Sequence, residues 1–175
     1  HLGAELDPPL SPGFKVSIGT LAMTAFYEKL LQRDLGRLDI DDDDAHWPSS
    51  EQIEADIREK MTGPLIDKGI NETREKYVDA DGIRARLTPL VENWASVRER
   101  LEAQLISARE LQRMLGEAGA PARPEDIGLT PEDVRKTFPR AMYYRSRYTV
   151  LDVAREIGWF EELVDEVCAP GGIWS

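Results

Sequence analysis

The sequence predicts an all-α protein, and two observations lead to this class. No alternation of β-branched and polar residues is sustained, and no Asn-Gly or Asp-Gly turn joins two runs of that kind. Apolar residues instead recur every three or four positions through most of the chain, with helix caps between the segments. Because 175 residues with 41% hydrophobic content suffice for one core, we expect a single domain, 1–175, of roughly six to eight helices.

The first predicted helix follows Pro12 and Gly13 and continues to Leu31. Its apolar residues are too dense for a surface helix with one narrow stripe, so we expect most of its surface to be buried. These residues are Val16, Ile18, Leu21, Ala22, Ala25, Phe26, Leu30 and Leu31.

An acidic loop and a capped helix come next. Residues 36–48 contain a run of aspartates, and the mutual repulsion of these charges predicts a solvated loop. Ser49 is expected to begin a helix, because its hydroxyl and the side chain of Gln52 can form a capping box. Gly63 and Pro64 are expected to end that helix.

Two further helical segments precede the last third of the chain. A helix over 66–77 is predicted, although Gly69 and Asn71 weaken its middle. The longest predicted element covers 80–119, where apolar residues keep the helical spacing. Within it, Pro89 either kinks the helix or ends a separate first segment.

The last third of the chain contains two strong helix starts. A connector rich in Gly and Pro, 116–128, has the length of a loop between helices and is too short for a domain linker. Thr130 and Thr149 each combine a capping hydroxyl with an acid three residues later. The final amphipathic stretch is expected to break near Gly158, and residues 169–175 to trail off as a loop.

Charge and composition exclude several classes of partner. The formal net charge of −11 would repel a phosphate backbone, so we expect no nucleic-acid partner. No apolar run has the roughly 18 to 20 residues of a membrane span, and the first ten residues have no basic and apolar leader pattern. We therefore expect no membrane partner and a cytoplasmic location.

The only cysteine, Cys168, cannot form an internal disulfide and is expected to be inert.

The chain contains no complete motif for a nucleotide or a metal. Neither GxGxxG nor GxxxxGK[ST] occurs, so no catalytic or cofactor-binding residue can be assigned in this chain. The two histidines, His1 and His46, do not have the spacing of a structural zinc site. His46 with its acidic neighbours could hold a hard cation, but the spacing of a calcium loop is absent, and a solvated loop is the alternative. These neighbours are Asp39, Asp41, Asp42, Asp43 and Asp44.

One short stretch is both basic and aromatic, which is what an anionic ligand would need. The alternative is a surface helix whose tyrosines pack inward and whose arginines pair with acidic residues. The stretch contains Lys136, Arg140, Arg145 and Arg147, interleaved with Tyr143, Tyr144 and Tyr148.

Two separated stretches resemble glycerol-1-phosphate dehydrogenases, a branch of the iron-containing alcohol dehydrogenase superfamily. The first, SPGFKVSIGTLAMTAFYEKLL at 11–31, resembles the segment that opens the helical C-terminal domain of that family. The second, 116–164, resembles the closing helices of that domain. Its RYTVLD segment at 147–152 is close to the sequence that the family usually has there. The stretches occur in the right order, and the resemblance extends from about residue 10 to residue 167.

The resemblance implies one half of a two-domain enzyme with a dehydroquinate synthase-like fold. The family reduces dihydroxyacetone phosphate to glycerol 1-phosphate with NADH or NADPH, and a zinc-type ion polarises the substrate carbonyl. Its nucleotide-binding domain comes first and supplies a metal-binding aspartate, while the helical domain brings two histidines. This chain resembles only the helical half, so its expected partner is the nucleotide-binding domain or a chain that supplies one, and a homo-oligomer is a further expectation.

The sequence departs from the family at the metal. The family usually reads Ser-His-Gly-x-x-Val, whereas Pro12 stands here in place of the histidine and has no lone pair to offer. His1 either corresponds to the first family histidine or remains from a tag. Lys15 matches a lysine common in the family and, with Arg145 and Arg147, is the candidate for binding the substrate phosphate.

Two functions are consistent with these residues. The first is the metal- and substrate-binding half of a glycerol-1-phosphate dehydrogenase-like oxidoreductase that is inactive as an isolated chain. The alternative is a degenerate helical module that acts in interaction or regulation through its first helix.

Overall fold

A computed structural model describes residues 12–40 and 47–174. These residues form ten α-helices and no strand, which confirms the all-α class. In the same part of the chain, no helix is both long and apolar enough to cross a bilayer. The helices are α1 (Pro12–Leu31), α2 (Ser50–Lys60), α3 (Pro64–Lys76), α4 (Ala80–Glu92), α5 (Trp94–Gln104), α6 (Ala108–Glu117), α7 (Pro131–Arg135), α8 (Thr137–Tyr143), α9 (Val150–Glu156) and α10 (Phe160–Cys168).

The chain divides into two compact units, which are described separately. Of the described residues, unit 1 contains 12–33, 98–137 and 162–174. Unit 2 contains the described residues 34–40, 47–97 and 138–161. The expectation of a single domain stays a prediction.

In unit 1, α1 is the long buried helix that the sequence predicts. It packs against α6, and the side chains of Ile18, Leu21 and Phe26 have no solvent exposure. Its first turns differ, because Phe14 and Val16 keep 43% and 63% of their surface exposed. The apolar density of α1 therefore buries its body, whereas its start faces solvent.

The end of the chain does not trail off, which corrects the expectation for residues 169–175. The Arg109 guanidinium donates to the carbonyls of Gly172 and Ile173 at 3.1 and 3.0 Å, and Arg123 donates to the carbonyl of Trp174 at 2.7 Å. Ile173 and Trp174 are buried. A pair of glycines suggested a loose end, but two apolar side chains and three charge-assisted hydrogen bonds hold the segment in place.

In unit 2, α2 and α3 pack against each other through a glycine. A Cβ at Gly69 would lie 2.6 Å from Met61 Sδ and 3.1 Å from Ile57 Cγ2, so a larger residue there would require the Met61 side chain to shift. Gly69, which weakens α3 as an isolated helix, therefore allows α2 to pack closely against α3. The predicted capping box of Ser49 and Gln52 is present at the start of α2.

The predicted element over 80–119 is three helices, which raises the helix number above the expected six to eight. Pro89 lies inside α4, and Asn93 ends that helix by donating from its backbone and side chain to the Pro89 carbonyl. Ser107 caps α6 by accepting a hydrogen bond from the Glu110 backbone N–H. Apolar spacing continues through both breaks, so periodicity alone could not reveal them.

The later helix boundaries agree with the sequence. Thr130 and Thr149 precede α7 and α9, each with the predicted capping box. Gly158, with a φ of 76°, separates α9 from α10 in the left-handed region that favours glycine. Local signals were sufficient at these positions because each boundary depends on residues within one turn.

Candidate functional site

The start of α1 is the first candidate region, because the expected metal position lies there. Pro12 is the first residue of the helix and is exposed. Lys15 is half-buried in the next turn. Of the other residues considered for a metal, Asp39 is described and exposed, whereas His1, His46 and Asp41–Asp44 lie outside the described residues.

The described residues do not fit the catalytic metal that the family resemblance implies. A catalytic zinc site takes three protein ligands with nitrogen, sulfur or carboxylate donors. Pro12 offers no donor, and within 12–40 and 47–174 no group of three histidine, cysteine or acidic residues could hold an ion.

The basic and aromatic stretch is divided: Lys136 follows α7 in unit 1, Arg140 and Tyr143 lie in α8, and residues 144–148 connect α8 to α9 in unit 2. Arg145 lies over the Tyr144 ring at 5.2 Å, and Lys68 approaches the same ring at 4.9 Å. Arg147 is exposed, and its side chain makes no hydrogen bond or ion pair within the described part of the chain. Lys15 belongs to unit 1 and the two arginines to unit 2, so their shared role in binding phosphate stays a prediction.

The alternative for this stretch was a surface helix whose tyrosines pack inward and whose arginines pair with acidic residues. Some residues of the stretch agree with it. Tyr143 is buried and its hydroxyl donates to Asp56, whereas Tyr144 and Tyr148 are exposed by 36% and 40%. Burial raises the pKa of Tyr143, and the hydrogen bond to Asp56 adds to this shift. Arg140 donates to the carbonyl of Lys60 at 2.8 Å rather than to an acid.

Unit 2 contains a buried ion pair that no local sequence pattern predicts. Lys76 Nζ lies 2.6 Å from Asp152 Oδ1 and donates to the Met142 carbonyl at 2.6 Å. The second carboxylate oxygen of Asp152 accepts hydrogen bonds from the backbone and hydroxyl of Thr149. Both side chains are at least 90% buried. Every charge of this pair is therefore compensated, as burial requires.

A second charged group lies beside this pair. Glu156 accepts from the Tyr148 hydroxyl and lies 3.3 Å from an Arg86 guanidinium nitrogen. Burial is the largest influence on Glu156 and raises its pKa, although Tyr148 and Arg86 both favour the charged form. The backbone carbonyl of the same residue accepts from Trp47 Nε1 at 2.6 Å.

These residues line a cavity of about 60 Å³ that lies within unit 2. Its charged members are the two ion pairs and Arg155, whose guanidinium also lies over the Tyr143 ring at 5.2 Å. Thr73 lines the same cavity; it is 7% exposed, and its hydroxyl has no hydrogen-bond partner in the described structure. The other lining residues are Trp47, Pro48, Ile53, Tyr77, Val78, Ile83 and Tyr148, which supply an apolar wall.

Sequence reasoning missed most of this cavity for a physical reason. Local patterns predict only a helix cap for Asp152 and no particular role for Lys76, because the pairing of these two residues joins distant parts of the chain. The sequence does contain one signal for a buried lysine. Lys76 lies three residues after Thr73, on the helix face that also carries Ile70. A lysine on an apolar helix face indicates a buried partner.

Comparisons with known proteins add no name to this site. No family model, curated protein or solved structure matches the chain. Burial raises the pKa of the Cys168 thiol to about 12, which disfavours its nucleophilic thiolate form.

Proposed function

We propose that this chain is the helical metal- and substrate-binding half of a glycerol-1-phosphate dehydrogenase-like oxidoreductase, with a dehydroquinate synthase-like fold and a lost metal ligand. The observation that carries the proposal is Pro12 at the first position of α1, in a segment that otherwise resembles the family's Ser-His-Gly-x-x-Val. The all-helical architecture and the second stretch, in the expected order, support it.

In this role the chain binds the substrate, and it does not transfer hydride without a nucleotide-binding domain. A nicotinamide nucleotide supplies the hydride when a nucleotide-binding domain holds it. Within this chain, Lys15, Arg145 and Arg147 offer positive charge to the phosphate of dihydroxyacetone phosphate. The proposal also places the protein in the cytoplasm, where a lone thiol such as that of Cys168 stays reduced.

The test restores the missing ligand. The chain and its Pro12→His variant are each mixed with the nucleotide-binding domain of a glycerol-1-phosphate dehydrogenase, and bound zinc and NADH oxidation with dihydroxyacetone phosphate are measured. We expect the Pro12→His variant to gain zinc and activity, because histidine supplies the nitrogen donor that proline lacks. The unchanged chain is expected to gain neither.

A matched control separates ligand restoration from a histidine added anywhere. Pro64 opens α3 as Pro12 opens α1, and both prolines are exposed, so Pro64→His is the control variant. Equal zinc content in the two variants, or no gain in zinc or activity with Pro12→His, would refute the lost-ligand proposal.

The alternative of an interaction or regulatory module is favoured by one observation. Phe14 and Val16 present exposed apolar surface on the first turns of α1, and an exposed apolar patch is typical of a binding surface. Sedimentation velocity distinguishes the two functions. A chain that self-associates as its concentration rises, and whose Pro12→His variant gains no zinc, would favour the module.

A further inference from the structure

The cavity of unit 2 contains hydrogen-bond donors that no described residue satisfies. The Thr73 hydroxyl is buried without a partner, which is uncommon because a buried polar group that makes no hydrogen bond destabilises the fold. Lys76 uses two of its three N–H groups, one for Asp152 and one for the Met142 carbonyl. The cavity therefore presents donors to whatever enters it.

Arg155 is the one cation of the cavity that makes no ion pair with a described acid. The Lys76 and Arg86 charges are paired with Asp152 and Glu156. The Arg155 guanidinium is half-buried, and its interaction within the described structure is with the Tyr143 ring. The lining thus has three cations and two carboxylates, a net charge of +1.

The charges and walls of the cavity select one class of ligand. Unsatisfied donors favour a ligand that only accepts hydrogen bonds, and a net charge of +1 favours a monoanion. A dianion such as phosphate would be repelled by Asp152 and Glu156. The apolar wall, in which Trp47, Ile53 and Ile83 take part, favours an alkyl group beside the charged end.

The size of the cavity limits the ligand further. A single buried water needs roughly 10 to 15 Å³ of cavity volume, and a cavity of roughly 150 Å³ holds benzene. The cavity has about 60 Å³, which is room for several waters or for a molecule smaller than benzene. Carboxylates of about two to four carbons match this range.

We infer that the cavity between α2, α3, α4 and α9 binds the anion of a short-chain monocarboxylic acid. Its carboxylate accepts from the Thr73 hydroxyl and the Arg155 guanidinium, and its alkyl group lies against the apolar wall. The inference depends only on residues of unit 2, so it stands or fails separately from the proposed dehydrogenase-like function.

Binding is tested on the whole chain with sodium propionate as the probe, by isothermal titration calorimetry and by the chemical shift of ¹³C-carboxylate propionate. We expect saturable binding of one propionate per chain, weaker binding of propionamide, and no competition by equimolar chloride or inorganic phosphate. Equal competition by chloride or phosphate would show nonspecific ion binding and would overturn the inference. Failure of acetate, propionate and butyrate to bind would do the same.

Two variants test the donors. Thr73→Val keeps the side-chain shape and removes the hydroxyl, so propionate affinity is expected to fall about tenfold, as for a hydrogen bond to a charged group. Arg155→Gln removes the charge and is expected to weaken binding at least as much. Thr88→Val is the matched control, because Thr88 lies on α4 and its hydroxyl donates to the Arg84 carbonyl. Unchanged affinity in both Thr73→Val and Arg155→Gln would refute the assignment, and wild-type calorimetry remains decisive if either variant fails to fold.

Discussion

Units 1 and 2 place their charges differently. In unit 1, Arg113 pairs with Glu110 and Glu117 on an exposed helix face, and Arg33 pairs with Glu162 beside solvent. In unit 2, Lys76 and Asp152 are buried together. Exposed pairs contribute little to stability, whereas a buried pair leaves a costly charge behind when either partner is removed. The difference indicates that unit 2 depends on its ion pairs for folding in a way that unit 1 does not.

The largest expected effect comes from breaking the buried pair of unit 2. Lys76→Met leaves Asp152 buried without its cation and the Met142 carbonyl without its donor. We expect the free energy of unfolding, measured in urea, to fall by about 3 to 5 kcal/mol.

Lys136→Met is the control for this variant, because Lys136 pairs with Glu132 on an exposed face of unit 1. A loss of about 0.5 kcal/mol or less is expected there. The double variant Lys76→Met/Asp152→Asn is expected to recover part of the loss, since it removes the uncompensated charge. Similar losses in the two lysine variants would contradict the contrast between the units.

An intermediate effect is expected in unit 1, where two glycines differ in their surroundings. A Cβ at Gly172 would lie 2.3 Å from the Val167 carbonyl oxygen, so Gly172→Ala must displace the chain end and is expected to cost about 1 to 3 kcal/mol. Gly116 lies in α6 with nothing within 4 Å of its Cβ position. Gly116→Ala is expected to stabilise the chain by about 0.5 to 1 kcal/mol in the same urea titration. Tolerance of Gly172→Ala would show that the C-terminal segment is not held in place.

The smallest expected effect is a dependence of stability on pH that originates in unit 2. Burial raises the pKa of Glu156 above its ordinary value of 4.5, so the folded chain binds this proton more readily than the unfolded chain. The contribution of Glu156 to stability therefore increases as pH falls from about 7 toward 4.5. Relative to Glu156→Gln, the wild type is expected to gain stability over this range in urea titrations at several pH values.

The matched control for replacing a glutamate by glutamine is Glu117→Gln, in an exposed ion pair of unit 1. A constant difference between wild type and Glu156→Gln across this pH range would exclude a raised pKa at Glu156.

How much could be predicted from the sequence depended on the range of the interaction. The boundaries at Ser49, Thr130 and Thr149 were predicted because a cap involves residues within one turn. The body of α1 was predicted because its apolar density is unusual. The break before α6 was missed although Ser107 supplied a readable capping signal.

The cavity and the fixed chain end could not be predicted by the same means. Lys76 and Asp152 lie 76 positions apart, and no local pattern specifies which lysine meets which acid. Residues 169–174 contain two glycines and a proline, which locally predict a loop. Their order comes from the distant Arg109 and Arg123, which hydrogen-bond the carbonyls of the segment.

Whether the start of α1 still holds a metal is tested most directly by an NMR titration of the ¹⁵N-labelled chain with zinc chloride. Because Pro12 offers no donor atom, the amides of residues 13–16 are expected to keep their chemical shifts up to several equivalents of zinc. Saturable shifts of these amides at one equivalent of zinc would contradict the lost-ligand proposal.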